Sequence, residues 1–96
     1  MRIVLEASAQ SEMWEAVRFY EDSREGLGSE FLDAIDHAID VVRLHPSLGS
    51  PLKGRFRRVF LRRFPYAVHF LAAPEAIVVL AVFHTRRDPR HLEGRS

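Results

Sequence analysis

The chain has 96 residues, is 47% apolar and 28% charged, and carries a formal net charge of +1. That is enough for one soluble globular domain, expected to span residues 1–96, with two layers of secondary structure. It has no cysteine, which excludes a disulfide framework, a thiolate metal site and a thiol nucleophile.

The opening Met1-Arg2-Ile3-Val4-Leu5-Glu6 is too short an apolar run for a signal peptide or a membrane span, so the expected location is the cytoplasm. Charge is divided sharply along the chain. Residues 1–52 carry four arginines against ten acids, a net of −6, and residues 53–96 carry ten basic residues against three acids, a net of +7. Such asymmetry suggests an anionic partner for the basic half, unless the halves neutralise each other across the fold.

Arg2-Ile3-Val4-Leu5-Glu6 predicts a short strand. Ser8 is placed to cap a helix from about Ala9 to Arg24, since its hydroxyl can accept a bond from a free first-turn amide. Glu12 and Glu15 fall early, where the helix dipole favours acids. Met13, Ala16, Val17 and Tyr20 form one apolar face, widened by Trp14. Gly26 and Gly28 break this helix. A second runs from about Ser29 to Leu44, with Phe31, Ala34, Ile35, Ala38, Ile39 and Val42 as its stripe. His37 lies on the opposite, polar face and reads as solvated. His45-Pro46 ends the helix, because a residue before proline is pushed out of the helical region.

After the turn segment Pro46–Pro51 come three strands. Phe56–Arg62 alternates, with Arg58, Phe60 and Arg62 on one face and Val59 and Leu61 on the other. Its arginines suit a sheet edge. Tyr66–Leu71 follows, with His69 expected half-buried. Ala76–Phe83 is apolar throughout and rich in β-branched residues, so it reads as a central strand buried on both faces. It empties into His84-Thr85-Arg86-Arg87, charged groups held at the end of a rigid element. The tail Arg90–Ser96 has no strong pattern.

The order is strand, helix, helix, strand, strand, strand. The expected fold is a two-layer α+β domain, β-α-α-β-β-β, with a helix hairpin on an antiparallel sheet of strand order 1-4-3-2. No phosphate loop, metal-ligand spacing or nucleophile elbow is present, and no metal or cofactor is expected. The remaining constellation is Lys53, Arg55, Arg58, Arg62, His69, His84, Arg86 and Arg87. Arginines bind anions bidentately and a histidine can serve as acid or base, so the residues alone support anion binding more than cleavage. The competing structural reading has Arg86 and Arg87 clamping the tail or the acidic helix hairpin.

Phe19-Tyr20, Gly26-Leu27-Gly28, Phe31, Pro46, Phe64-Pro65-Tyr66 and above all Val79-Leu80-Ala81-Val82-Phe83-His84-Thr85-Arg86-Arg87-Asp88-Pro89 together resemble the RelE/ParE superfamily of toxins from bacterial type II toxin–antitoxin modules. The resemblance covers nearly the whole chain. It implies a toxin neutralised by a partner antitoxin. RelE-like members cut messenger RNA on the ribosome with basic residues plus a late tyrosine or histidine; ParE-like members poison DNA gyrase. Carried onto this chain, a ribonuclease set would be Lys53, Arg55, Arg62, His84, Arg86 and His91. No tyrosine follows Tyr66, a departure that favours the ParE-like reading of a plasmid-stabilisation type of system. For that reading, Arg58, Arg62, His84, Arg86 and Arg87 are the expected target-binding residues, and Arg58, Phe60 and Arg62 the expected seat of an acidic antitoxin segment. A ribosome-dependent ribonuclease is the alternative, and an inactive protein-binding module on the toxin fold is the second.

Overall fold

The computed structural model describes residues 2–47, 49–51 and 55–86. Its elements are β1 (Arg2–Leu5), α1 (Ala7–Ser23), α2 (Leu27–Leu44), β2 (Ser50–Pro51), β3 (Phe56–Phe60), β4 (Tyr66–Ala72) and β5 (Ala76–His84). They form a helix hairpin on one sheet of order β1-β5-β4-β3-β2. The expected order of the four main strands therefore holds, with the apolar strand β5 between β1 and β4.

Two features of the sheet go beyond the expectation. Strand β5 runs parallel to β1, while the remaining pairs are antiparallel. The two-residue strand β2 lies antiparallel on β3, pairing Ser50 with Arg58 and Pro51 with Arg57. It corrects the edge assignment: beside Arg57 and Arg58 the outermost strand is β2, not β3.

The hairpin buries its stripes against the sheet. Phe31, Ile35, Ala38 and Val42 of α2 and Ala9, Met13 and Ala16 of α1 are all buried. These positions recur at three- and four-residue spacing, which places them on one side of each helix. Tyr20, Phe31, Phe64 and Tyr66 close the core in an aromatic cluster. The ring of Phe31 lies 5.3, 5.2 and 5.1 Å from those of Tyr20, Phe64 and Tyr66.

Both helices begin two residues earlier than their sequence signals suggest. Helix α1 starts at Ala7 behind Glu6, without a side-chain cap. Ser8 does not cap it; its hydroxyl donates instead to the carbonyl of Leu80 at 3.3 Å, tying α1 to β5. At the hairpin, Gly26 takes the left-handed conformation, φ 87°, that lets the chain reverse between the helices. Gly28 is inside α2 rather than in the link. Its amide and that of Gly26 donate to the Glu21 carboxylate at 2.9 and 3.0 Å. Those two bonds hold the Glu21 carboxyl below the ordinary carboxylate range, with the nearby Arg24 charge adding to them.

Glu30 makes a second tie. It accepts bonds from Arg24 at 2.8 Å and from Arg63 at 2.6 Å, linking the hairpin to the β3–β4 turn. The same two arginines hold its carboxyl low. Arg63 itself sits at φ 69°, a left-handed position in the tight turn before Phe64.

Candidate functional site

The sheet divides the expected site residues between its two faces. In an antiparallel ladder, paired residues share a face and successive residues alternate. Tyr66 packs on Tyr20 and Phe31, so it faces the helices. His84 pairs with Tyr66 and its ring lies edge-on to the tyrosine at 5.3 Å. Phe60 pairs with Ala67, and Arg58 with His69, which puts both on the opposite, outer face. His84 is therefore separated from Arg58 and Phe60 by the sheet.

On the outer face, Arg58 stacks its guanidinium 4.9 Å from the centre of the Phe60 ring. Phe60 is 51% exposed, a large apolar side chain left facing solvent. The Nε of Arg58 is buried without a hydrogen-bond partner among the described residues. The stacking presents a flat, cationic, aromatic-backed surface suited to a carboxylate or another planar anion. Arg62 lies beyond the end of β3 and is exposed, as is Arg55 ahead of it. Arg57 points the other way and donates to the Gly49 carbonyl at 3.2 Å, a structural use. His69, expected half-buried, is only 2% exposed, with its ring 5.0 Å from that of Phe83. It belongs to the interior of the outer layer, flanked by Leu80, Ala81 and Phe83.

At the other end of β5, the His84 Nδ1 accepts a bond from the Arg86 amide at 3.1 Å, and the Arg86 side chain is exposed. Lys53, Arg87 and His91 lie outside the described residues. His37 is exposed on α2, as its position on the polar face implies.

A feature that sequence reasoning missed is the cleft beside His84. Strand β1 is four residues long and β5 nine, so β1 accompanies β5 only as far as Val79. Past that point α1 takes over the strand's edge. The Glu6 amide donates to the Val79 carbonyl at 3.0 Å, and Glu12 Oε1 accepts the Val82 amide at 3.0 Å. Beyond Glu12 the helix and strand diverge, leaving a cleft of about 300 Å³. Its walls are Glu12, Glu15, Ala16, Phe19, Tyr66, Val82 and His84. Tyr66 holds its phenol proton above the ordinary range, chiefly because it is withdrawn from water and secondarily because of the Glu15 charge. Tyr20, just behind, is raised by burial and by Tyr66. The signals available in the sequence were the helical spacing of Glu12, Glu15, Ala16 and Phe19 and the shortness of the first strand; what they could not show was the register that sets Tyr66 and His84 beside that helix. Among the described residues no cluster of three or more histidine, cysteine or acidic side chains could hold a metal ion, and no helix is long and apolar enough to cross a membrane.

Comparison with known proteins agrees with this architecture. The chain is 29% identical over 97 residues to Toxin ParE2 of Mycobacterium tuberculosis, in both the CDC 1551 / Oshkosh and the H37Rv strains, a match covering 97% of this chain and 90% of the relative. In fold it is similar to a solved chain described as the chromosomal ParDE TA system from P. aeruginosa, with a TM-score of 0.65 at 17% identity over 88% of this chain and 95% of that one. The family described as the ParE toxin of type II toxin-antitoxin system, parDE, matches residues 3–89. The chain thus belongs to the ParE toxin family and is the toxin component of a type II toxin–antitoxin system.

Proposed function

We propose that this toxin acts by binding rather than by cutting RNA, that its target is DNA gyrase, and that its cognate antitoxin restrains it through the Arg58–Phe60–Arg62 surface. A toxin of this class has an antitoxin partner. The observation that carries the proposal is the match to the ParE toxin family over residues 3–89, with no tyrosine after Tyr66; the separation of His84 from Arg58 adds to it. A ribonuclease would need a general acid or base beside the cations that stabilise the developing charge. His84 instead packs on Tyr66 on the helix-facing side, and Arg58 stacks on Phe60 on the other.

The outer surface supports the antitoxin part of the reading. An exposed phenyl ring with the Arg58 guanidinium stacked on it complements an acidic segment that carries an apolar anchor. Among the described residues β2 pairs only with Arg57 and Arg58 of β3, and a short outer strand is the kind of sheet edge to which an extended peptide can add.

The test is expression of the chain alone in a bacterial host, with new protein synthesis and plasmid supercoiling followed in parallel, and a supercoiling assay with purified gyrase. Lost supercoiling with translation intact is the expected result. A rapid stop in translation with supercoiling intact would replace the reading with ribosome-dependent RNA cleavage. No growth defect from a folded, soluble protein would leave a binding module without toxic action.

A further inference from the structure

We infer that the cleft between α1 and the distal half of β5 is a second recognition site, separate from the Arg58 surface, which takes the guanidinium side chain of an arginine presented by a partner protein. The inference does not depend on which target the toxin poisons.

Three observations converge on a cationic side chain as the occupant. The first is shape: about 300 Å³ is at the lower limit of ligand pockets, which run from about 300 to 1,000 Å³. It suits one long side chain rather than a free cofactor. The second is the wall chemistry. Phe19 and Tyr66 supply two aromatic rings, and the face of such a ring attracts a cation, with guanidinium the commonest partner because it stacks flat and is weakly hydrated. Phe19 is 63% exposed at the rim, an apolar ring in water that a partner would cover. The third is charge. Glu15 lies at the cleft with its charge felt by the Tyr66 phenol. A carboxylate and aromatic rings lining one cleft offer a guanidinium both a bidentate acceptor and a stacking surface.

The rest of the fold keeps these groups in place. Tyr66 is fixed from behind by Tyr20 and Phe31, with ring separations of 6.1 and 5.1 Å. Phe19 leans edge-on against Tyr20 at 5.3 Å. The Val82 amide, bonded to Glu12, pins the floor. The site is therefore largely pre-organised, which limits the ordering cost of binding. It complements a basic residue, whereas the Arg58 surface on the other side of the sheet complements acidic ones. One partner chain carrying both signs, or two partners, could engage the molecule at once.

The probe is the peptide acetyl-Leu-Arg-Leu-amide, titrated into the full ¹⁵N-labelled chain, with the citrulline peptide acetyl-Leu-Cit-Leu-amide as the neutral isostere. The expected result is saturable movement of the Val82 and His84 amides, and binding about tenfold weaker for citrulline. Glu15→Gln and Phe19→Ala, both at exposed positions, are each expected to weaken the arginine peptide while leaving the rest of the amide spectrum unchanged. Equal binding of the two peptides would overturn the cationic specificity. Absence of saturable shifts, or shifts confined to residues around Arg58 and Phe60, would overturn the site.

Discussion

Replacing Gly28 with alanine tests how the helix hairpin is closed. Gly28 lies where α2 crosses closest to α1. A Cβ there would sit 2.9 Å from the Val17 carbonyl oxygen and 2.9 Å from Glu21 Oε1. The carboxylate can swing aside, but the carbonyl belongs to the backbone of α1 and can only retreat if the helices part. Over-packing of this kind costs about 1–3 kcal/mol. Gly28 is the second residue of α2, outside the helix interior where alanine gains about 1 kcal/mol over glycine, so little of that cost is returned. The net expectation is destabilisation of about 1–3 kcal/mol, read as a lower urea midpoint with an unchanged slope. The double variant Glu21→Ala/Gly28→Ala separates the two contacts. Removing the Glu21 side chain relieves its own clash but not that with Val17, so the double variant should remain less stable than Glu21→Ala alone. If Gly28→Ala proved as stable as the parent, the close approach would not constrain the hairpin and the reasoning would fail.

Further expectations follow from the ties that cross between elements. Phe31→Ala empties the centre of the aromatic cluster and should cost about 3–5 kcal/mol, seen as a large fall in the urea midpoint. Glu12→Ala leaves the Val82 amide without its acceptor; it should cost about 1–3 kcal/mol and speed hydrogen exchange at Val82 selectively. Glu21 and Glu30 both have folded pKa values depressed below 4.5, so each contributes stability that is present above the unfolded value and lost as pH falls through the folded one. Stability should thus decline as pH drops below about 4.5, and Glu30→Gln should flatten part of that decline in acid titrations followed by circular dichroism. Arg58→Glu with Arg62→Glu should slow antitoxin association about tenfold or more, measurable by surface plasmon resonance. Unchanged kinetics would move the antitoxin elsewhere on the toxin.

What was legible in the sequence was whatever repeats with a simple period. The stripe from Phe31 to Val42 specified a helix, and the unbroken run Ala76–Phe83 specified a strand covered on both sides; its neighbours β1 and β4 followed from that. What was not legible depended on short or non-local events. Ser50-Pro51 is too brief to carry a pattern, yet it forms the outermost strand beside β3. Ser8 has the chemistry of a cap, but a carbonyl of β5, seventy-two positions away along the chain, competes for its hydroxyl. Arg58 and Phe60 could be placed together because they alternate on one strand, whereas Arg62 lies past its end. The cleft residues could not, because Tyr66 and His84 meet α1 only through the sheet's register.

The two surfaces have a common origin in strand length. β5 is longer than either of the strands that finish the sheet on its two sides, and each shortfall exposes something. On the far side, β2 spans only two residues, and Phe60 near the end of β3 is exposed with Arg58 stacked on it. On the near side, β1 stops at Leu5, and α1 closes the edge of β5 with Ser8 and Glu12 before diverging from it. The acidic first half of the chain supplies that helix and the basic second half supplies β3, so the two openings carry opposite charge. A net charge of +1 therefore conceals a molecule with two unlike faces. Raising salt should weaken an acidic ligand at β3 and a basic ligand at the cleft alike, because each interaction is screened on its own. A ligand responding to salt at only one of the two would identify the other as held mainly by apolar contact, with Phe19 or Phe60 as its anchor.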